Sequence, residues 1–183
     1  MAKQLKALQT LVEKRVERLQ KQAEQVYGKR VPNVEIKYNL KSVRVGGQAR
    51  SNPYIGLFQM ELHPAALHEY QEDYIEGTVV HEFAHLVQKQ HYPQSKPHGK
   101  EWKQVMRAFG KNPERCHSMD LRGAMEKFAK VSGKPAPKIR QQKRWGYKCG
   151  CDTHQITTVR HNKIQRGQAS YCCRACGGKL VKA

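Results

Sequence analysis

Apolar residues recur at three- and four-residue steps through Leu5, Leu8, Leu11, Val12, Val16 and Leu19, with Lys, Arg and Glu between them. This is the helical period, and it predicts one amphipathic helix over residues 3–27, ended by Gly28 and Pro32. The repeat is too short for a coiled coil, so the apolar stripe is assigned to a core and the chain is expected to be a monomer. After Asn33 the period falls to two. Val34, Ile36 and Tyr38 predict one strand, Val43 and Val45 a second, and residues 55–62 a third, with Gly46-Gly47 a turn or bulge and Asn52-Pro53 a turn. The helical period then returns. Ile75, Val79, Phe83 and Leu86 share one face of a helix that Asp73 would cap and that ends near Gln90. Trp102, Val105, Met106 and Phe109 mark a helix starting near Lys100, and residues 121–131 a last one, with Met125 and Phe128 inward. The class is α+β, helices with a small mixed or antiparallel sheet.

Residues 132–144 break these patterns. Gly133, Pro135 and Pro137 are followed by Lys138, Arg140, Lys143 and Arg144 without an acid, which reads as a basic linker. The expected organisation is a main domain over residues 1–131, the linker, and a small module over 145–183.

The predicted helix after Asp73 carries His81-Glu82-x-x-His85. Two histidines four apart lie about 40° apart around a helix, so both imidazoles reach one metal ion while Glu82 sits beside it as a general base. A mononuclear catalytic zinc takes three protein ligands and one water. Downstream stand His91, His98 and His117. His91 is on the wrong helix face. His98 lies in Pro97-His98-Gly99-Lys100-Glu101-Trp102, where Gly99 permits a close approach and the next helix begins, so it is the third ligand chosen. His63 and His68 read as surface or structural histidines, and Cys116 as a structural thiol.

The pairing of H-E-F-A-H-L with a later H-G-K-E-W resembles the SprT family, whose eukaryotic relatives are the Spartan DNA-dependent metalloproteases. The resemblance runs from about Asn33 to the C-terminal cysteines. It implies a zincin-like metalloprotease domain with His81, His85 and His98 on a catalytic zinc and Glu82 as the base. Its Spartan branch acts on proteins crosslinked or tightly bound to DNA. By analogy with zincins, the stretch Leu57–His63 would pair with an extended substrate through main-chain hydrogen bonds.

Composition adds a partner. The chain of 183 residues carries a formal charge of +19, with a pI near 9.9 and a mean hydropathy of -0.81. Such an excess is the footprint of a polyanion, with single-stranded or duplex DNA the first choice. Neither a membrane span nor a signal peptide is legible, and the cytoplasm is the expected compartment. Five of the six cysteines fall between Cys149 and Cys176, a metal-binding pattern outside an oxidising compartment. Cys149-x-Cys151 and Cys173-x-x-Cys176, bridged by alternating Ile156, Val159 and Ile164, describe a ribbon around a second, structural zinc. His154 is an alternative ligand to either of the first two, and Cys172 a spectator. The resemblance extends to this ribbon, although C-x-C stands where relatives have C-x-x-C. Lys138, Arg140, Lys143, Arg144, Arg160, Lys163 and Arg166 are the candidate phosphate contacts. Trp145, Tyr147 and Tyr171 either stack on unpaired bases or pack the ribbon's core. The function expected is zinc-dependent hydrolysis of peptide bonds in DNA-bound or DNA-crosslinked proteins. The alternative is a non-enzymatic nucleic-acid-binding regulator, or a ribosome- or RNA-associated factor.

Overall fold

The N-terminal stripe forms α1 (Ala2–Tyr27), which buries Leu8, Val12, Val16, Leu19 and Ala23. Leu11 falls off that face and is 51% exposed. The computed structural model describes residues 2–113, 119–133 and 143–183. The predicted features at Cys116, His117, Lys138 and Arg140, and most of the basic linker, lie outside them. By its contacts the chain divides into two units, Met1–Pro137 and Lys138–Ala183.

In the first unit β1 (Val34–Lys37), β2 (Gly47–Asn52) and β3 (Leu57–Leu62) form a mixed sheet in the order β1-β3-β2. β3 runs parallel to β1, with Val34 opposite Phe58, and antiparallel to β2, with Gly47 opposite Leu62. Two sequence expectations are corrected here. Val43 and Val45 precede the second strand, which is the polar stretch Gly47–Asn52; its ladder with β3, rather than propensity, makes it a strand. β3 is the central strand and is paired on both sides, so residues 57–63 offer no edge to a peptide.

The helical region after the sheet begins ten residues earlier than the sequence suggested. Its cap is His63, whose Nδ1 accepts from the Ala66 amide at 3.3 Å, with Pro64 at the first position. Asp73 is an exposed residue inside α2 (Pro64–Tyr74), not a cap. α2 kinks at Gln71, passes through a π-helical turn over Ile75–Val79, and continues as α3 (Val80–His91). The expected core face survives the π turn, since Ile75, Val79, Phe83 and Leu86 are all buried. α4 (Lys100–Ala108) and α5 (Leu121–Ser132) complete this unit. Trp102, Val105, Met106 and Phe109 join its core, as does Leu121.

Two buried contacts lock sheet to helices. The Tyr74 hydroxyl donates to the Gly46 carbonyl at 2.6 Å and accepts from the His63 amide at 2.8 Å, tying the start of β2 to the end of β3. Gly47 presses against α3: a Cβ there would fall 2.7 Å from Glu82 Cγ and from Thr78 Cγ2.

The second unit holds β4 (Arg144–Lys148), β5 (Thr153–Thr157), α6 (Thr158–Gln165) and β6 (Val181–Lys182), with strand order β5-β4-β6. Tyr147, Ile156, Cys173 and Leu180 are its core. The alternation read through Ile156, Val159 and Ile164 is not one strand. Thr157 caps α6 through its hydroxyl and places Val159 on that helix, 64% exposed. Among the described residues no helix is long and apolar enough to cross a membrane.

His63 links fold to pH. Burial holds its imidazole below the ordinary 6.5, so as pH falls the unfolded chain takes the proton first. The cap's stabilisation is full above about 6.5 and drains away below it. His63→Asn, which keeps an acceptor and does not titrate, is expected to flatten the pH dependence of unfolding between about pH 7 and 5; coincident denaturation curves for the two proteins would exclude this role. At Gly47, Gly47→Ala is expected to cost about 1–3 kcal/mol by overpacking against α3, read as a lower denaturant midpoint. An unchanged midpoint would mean that the Glu82 side chain yields without strain.

Candidate metal centres and the adjoining cleft

α3 presents His81 and His85 on one face. The turn Lys96–Gly99 brings His98 to them, with His98 itself at a positive φ of 57°. Their ring nitrogens converge: His98 Nε2 lies 3.0 Å from His81 Nε2 and 3.1 Å from His85 Nε2. These three residues form a group that could hold a metal ion. The separations approach the roughly 3.3 Å between ligands about 2.0–2.1 Å from a tetrahedral ion. Burial, helped by His98, pushes the His85 imidazole down to about 4, so it is neutral, the form that ligates.

Trp102, reaching in from α4, backs the whole cluster. Its ring centroid lies 4.8 Å from that of His81, 5.4 Å from His85 and 4.7 Å from His98. Its helical spacing predicts the core position that it holds but not this contact with the histidines. Gln88 was not singled out at all, although its three-residue step from His85 put it on the same face; its amide lies against His85 and the Lys96 carbonyl.

Glu82 is buried beside His81 and takes the Ala49 amide as a hydrogen-bond donor. Burial lifts its pKa to about 7 against the lowering effect of that amide. A divalent cation at the histidines would pull it down again. The Ala49 bond places β2, the end strand of the sheet, against the carboxylate. The strand edge beside the carboxylate is therefore β2. In front of it opens a cleft of ≈ 460 Å³. Gly46, Gly47, Thr78, Met106 and Met119 line it with His81 and Glu82, and Arg44 and Lys111 supply positive charge. Glu76, also on its wall, is bound by Arg15 Nε at 2.7 Å and by Lys111 Nζ at 2.7 Å. Although burial pushes its carboxyl upward, those two cations hold it below the usual range.

His63 is a buried cap. His68 packs edge-on against the Phe128 ring, and His91 stacks near Tyr27; neither joins the cluster.

In the second unit the Sγ atoms of Cys149, Cys151, Cys173 and Cys176 gather within 4.8 Å of one another, a second group that could hold a metal. Cys149 and Cys151 are 3.3 Å apart, and Cys151–Cys173 and Cys149–Cys176 are each 3.7 Å apart. Those distances suit four thiolates on a tetrahedral ion, for which about 3.8 Å is expected. They are far longer than a disulfide. His154 stands next to this set, with Nε2 3.3 Å from Cys149 Sγ. The Ala175 and Gly178 amides donate to Cys173 and Cys176 sulfurs at 3.4 Å, as knuckle turns do. Cys172 lies on the surface outside the four.

Lys143, Arg144, Arg160, Lys163 and Arg166 are all exposed. The aromatic residues are committed elsewhere. Tyr147 is 0% exposed and its hydroxyl meets His161 Nδ1 at 3.0 Å. Trp145 stacks on His161 at 3.7 Å, and Lys143 Nζ covers the ring at 4.2 Å. Arg160 lies over Tyr171. Base stacking by Trp145 or Tyr147 is thus set aside in favour of core packing.

A family model described as the SprT-like family matches residues 16–122. Protein SprT of Escherichia coli O1:K1 / APEC is 31% identical over 176 residues, covering 96% of this chain and 94% of its own length. The same values hold for Protein SprT of Escherichia coli O139:H28 (strain E24377A / ETEC). No solved structure matches the chain. With both the three-histidine cluster and the four-cysteine cluster falling within the span shared with these relatives, the chain belongs to the SprT-like family.

Proposed function

We propose that this chain is a zinc metalloendopeptidase of zincin-like architecture, with a C-terminal zinc ribbon that binds DNA and directs it to proteins bound or crosslinked there. The observation that carries the reading is the placement of one buried carboxylate, Glu82, beside three convergent imidazole nitrogens, at the wall of a cleft and under a strand edge. His81, His85 and His98 would hold the catalytic zinc, and the four cysteines a structural one. Bound zinc supplies Lewis acidity, polarising a peptide carbonyl and acidifying water. The protein's own part is proton transfer and alignment. Glu82 accepts a proton from the attacking water and delivers it to the departing amine nitrogen as the C–N bond breaks. The Ala49 amide keeps that carboxylate aimed. The edge of β2 would hold an extended substrate by main-chain bonds, which impose little demand on side chains.

Selectivity then comes from location. The exposed cations of the second unit, with Asp152 as its only acid, suit phosphate contacts without base readout. Tethering the cleft near DNA raises the effective concentration of proteins already there.

Cleavage of a protein covalently attached to DNA tests the enzyme. Glu82→Gln is expected to retain zinc and lose about 10²–10⁴-fold in turnover. Equal cleavage by both proteins would remove Glu82 as the base. Silence from both, with zinc and DNA bound, would favour the non-enzymatic binding protein. A separate titration tests the ribbon. Replacing Lys163 and Arg166 by Gln is expected to weaken DNA binding across sequences and lower the slope of log K against log salt by about one per lost contact. An unchanged slope would move the DNA interface to another surface.

A further inference from the structure

Gln88 is 0% exposed in the middle of α3, an uncommon place for an amide. Its two ends reach two different parts of the histidine cluster. Nε2 donates to the Lys96 carbonyl at 2.8 Å. A carbonyl only accepts, so this bond fixes the orientation of the amide and directs Oε1 to the other side. Oε1 lies 3.4 Å from Nδ1 of His85, one helical turn back. An amide oxygen there accepts only from an Nδ1–H. That tautomer leaves His85 Nε2 with a bare lone pair, and Nε2 is the atom that faces His98.

The Lys96 carbonyl has a second donor, the Gly99 amide at 3.0 Å, which closes the turn Lys96-Pro97-His98-Gly99. Proline in the second place and a positive φ in the third suit a type II turn. The third residue here is His98, at a φ of 57° where glycine is usual. Gly99 cannot carry a side chain without a clash, because its Cβ would fall 2.9 Å from the Lys96 oxygen. The turn that aims His98 is thus conformationally demanding and hangs on one carbonyl. Lys89 secures the same loop further out, through the Pro93 and Ser95 carbonyls.

Resting on the reading of the three histidines as a zinc centre, we propose that Gln88 is a positioning residue for it. Its carbonyl end fixes the His85 ring, and its amino end holds the turn that presents His98. One side chain thereby sets the spacing of two ligands that are 13 residues apart in the chain. Outer-shell partners of this kind typically govern metal affinity by 10–100-fold.

Gln88→Met fills the same volume and removes both bonds; Gln88→Glu keeps an acceptor for His85 and loses the donor to Lys96. Zinc-loaded full-length proteins are titrated with a chromophoric chelator, and cobalt(II) absorption at the histidine site reports ligand geometry. The four-cysteine site serves as the internal reference. The expected order of zinc affinity at the histidine site is wild type, then Gln88→Glu, then Gln88→Met about 10–100-fold weaker, with an altered cobalt spectrum and an unchanged cysteine site. Wild-type affinity and spectrum in Gln88→Met would make Gln88 a mere core filler and overturn the proposal. A Gln88→Glu protein as weak as Gln88→Met would overturn its His85 half. If Gln88→Met does not fold, Gln88→Glu decides alone, and unchanged affinity overturns the role of the Lys96 bond. Zinc at the cysteines only in the wild type would overturn the metal-centre reading itself, a result visible before any variant is compared.

Discussion

Three convergent imidazole nitrogens, with His98 Nε2 3.0 Å from that of His81 and 3.1 Å from that of His85, pose an electrostatic problem that the rest of the first unit is built to sustain. With protons on the outer ring nitrogens, the inner ones are three lone pairs facing a common point. A proton between two of them leaves the third unsatisfied, and three charged rings would repel in a partly buried site. A shared cation would resolve all three at once. Without it the arrangement is costly, so the protein must impose it from outside the cluster. Trp102 backs all three rings, Gln88 ties one ring to the loop of another, and the apolar face of α3 is buried through Phe83 and Leu86.

The same logic reaches the sheet. Glu82 is useful only if it stays beside the cluster without collapsing onto it. The Ala49 amide and the side-chain-free approach of Gly47 hold β2 at that distance. β2 in turn is anchored at its start by the Tyr74 hydroxyl through Gly46. Tyr74 ends the helix that His63 begins, and the same hydroxyl receives the His63 amide. A path of short hydrogen bonds therefore runs from the helix cap, through one buried phenol, to the strand beside the carboxylate.

What was legible in the sequence follows from what local pattern encodes. The convergence of His81, His85 and His98 was readable because a four-residue step puts two imidazoles on one helix face and Pro97 and Gly99 mark the turn that returns the third. α1 and α4 were readable because a single apolar stripe faces a single core. The β2 strand was not, since Gly-Gln-Ala-Arg-Ser-Asn owes its conformation to pairing with β3. Nor was the start of α2, where a histidine supplied the cap that aspartate was expected to give, and Asp73 drew attention only because it preceded the apolar period. The misplaced substrate edge has a similar origin. Strand order is a property of pairing across the sheet, and no feature of residues 57–63 announces that they are its centre. In the second unit the cysteines were clear, whereas α6 was hidden inside a stretch whose apolar residues happened to alternate.

The two metal groups stand in opposite relations to their surroundings. Around the histidines the apolar core is extensive, and the ligands are added to its edge from α3 and one turn. Around the cysteines the ligand set is part of the core: Cys173 is buried together with Tyr147, Ile156 and Leu180, and few other residues contribute. A module this small buries too little apolar surface to order itself, so a metal ion held by the four thiols would complete the fold. The histidine cluster has the converse design. Its framework is ordered by packing and buried hydrogen bonds, and beside the three histidines lie a cleft, one carboxylate and the Gln88 amide between His85 and the loop of His98. A structural site encloses its ion on all sides, and four thiolates do so. Three imidazoles with a carboxylate and a cleft beside them would not, and on the proposed reading that asymmetry makes the first group a place for chemistry.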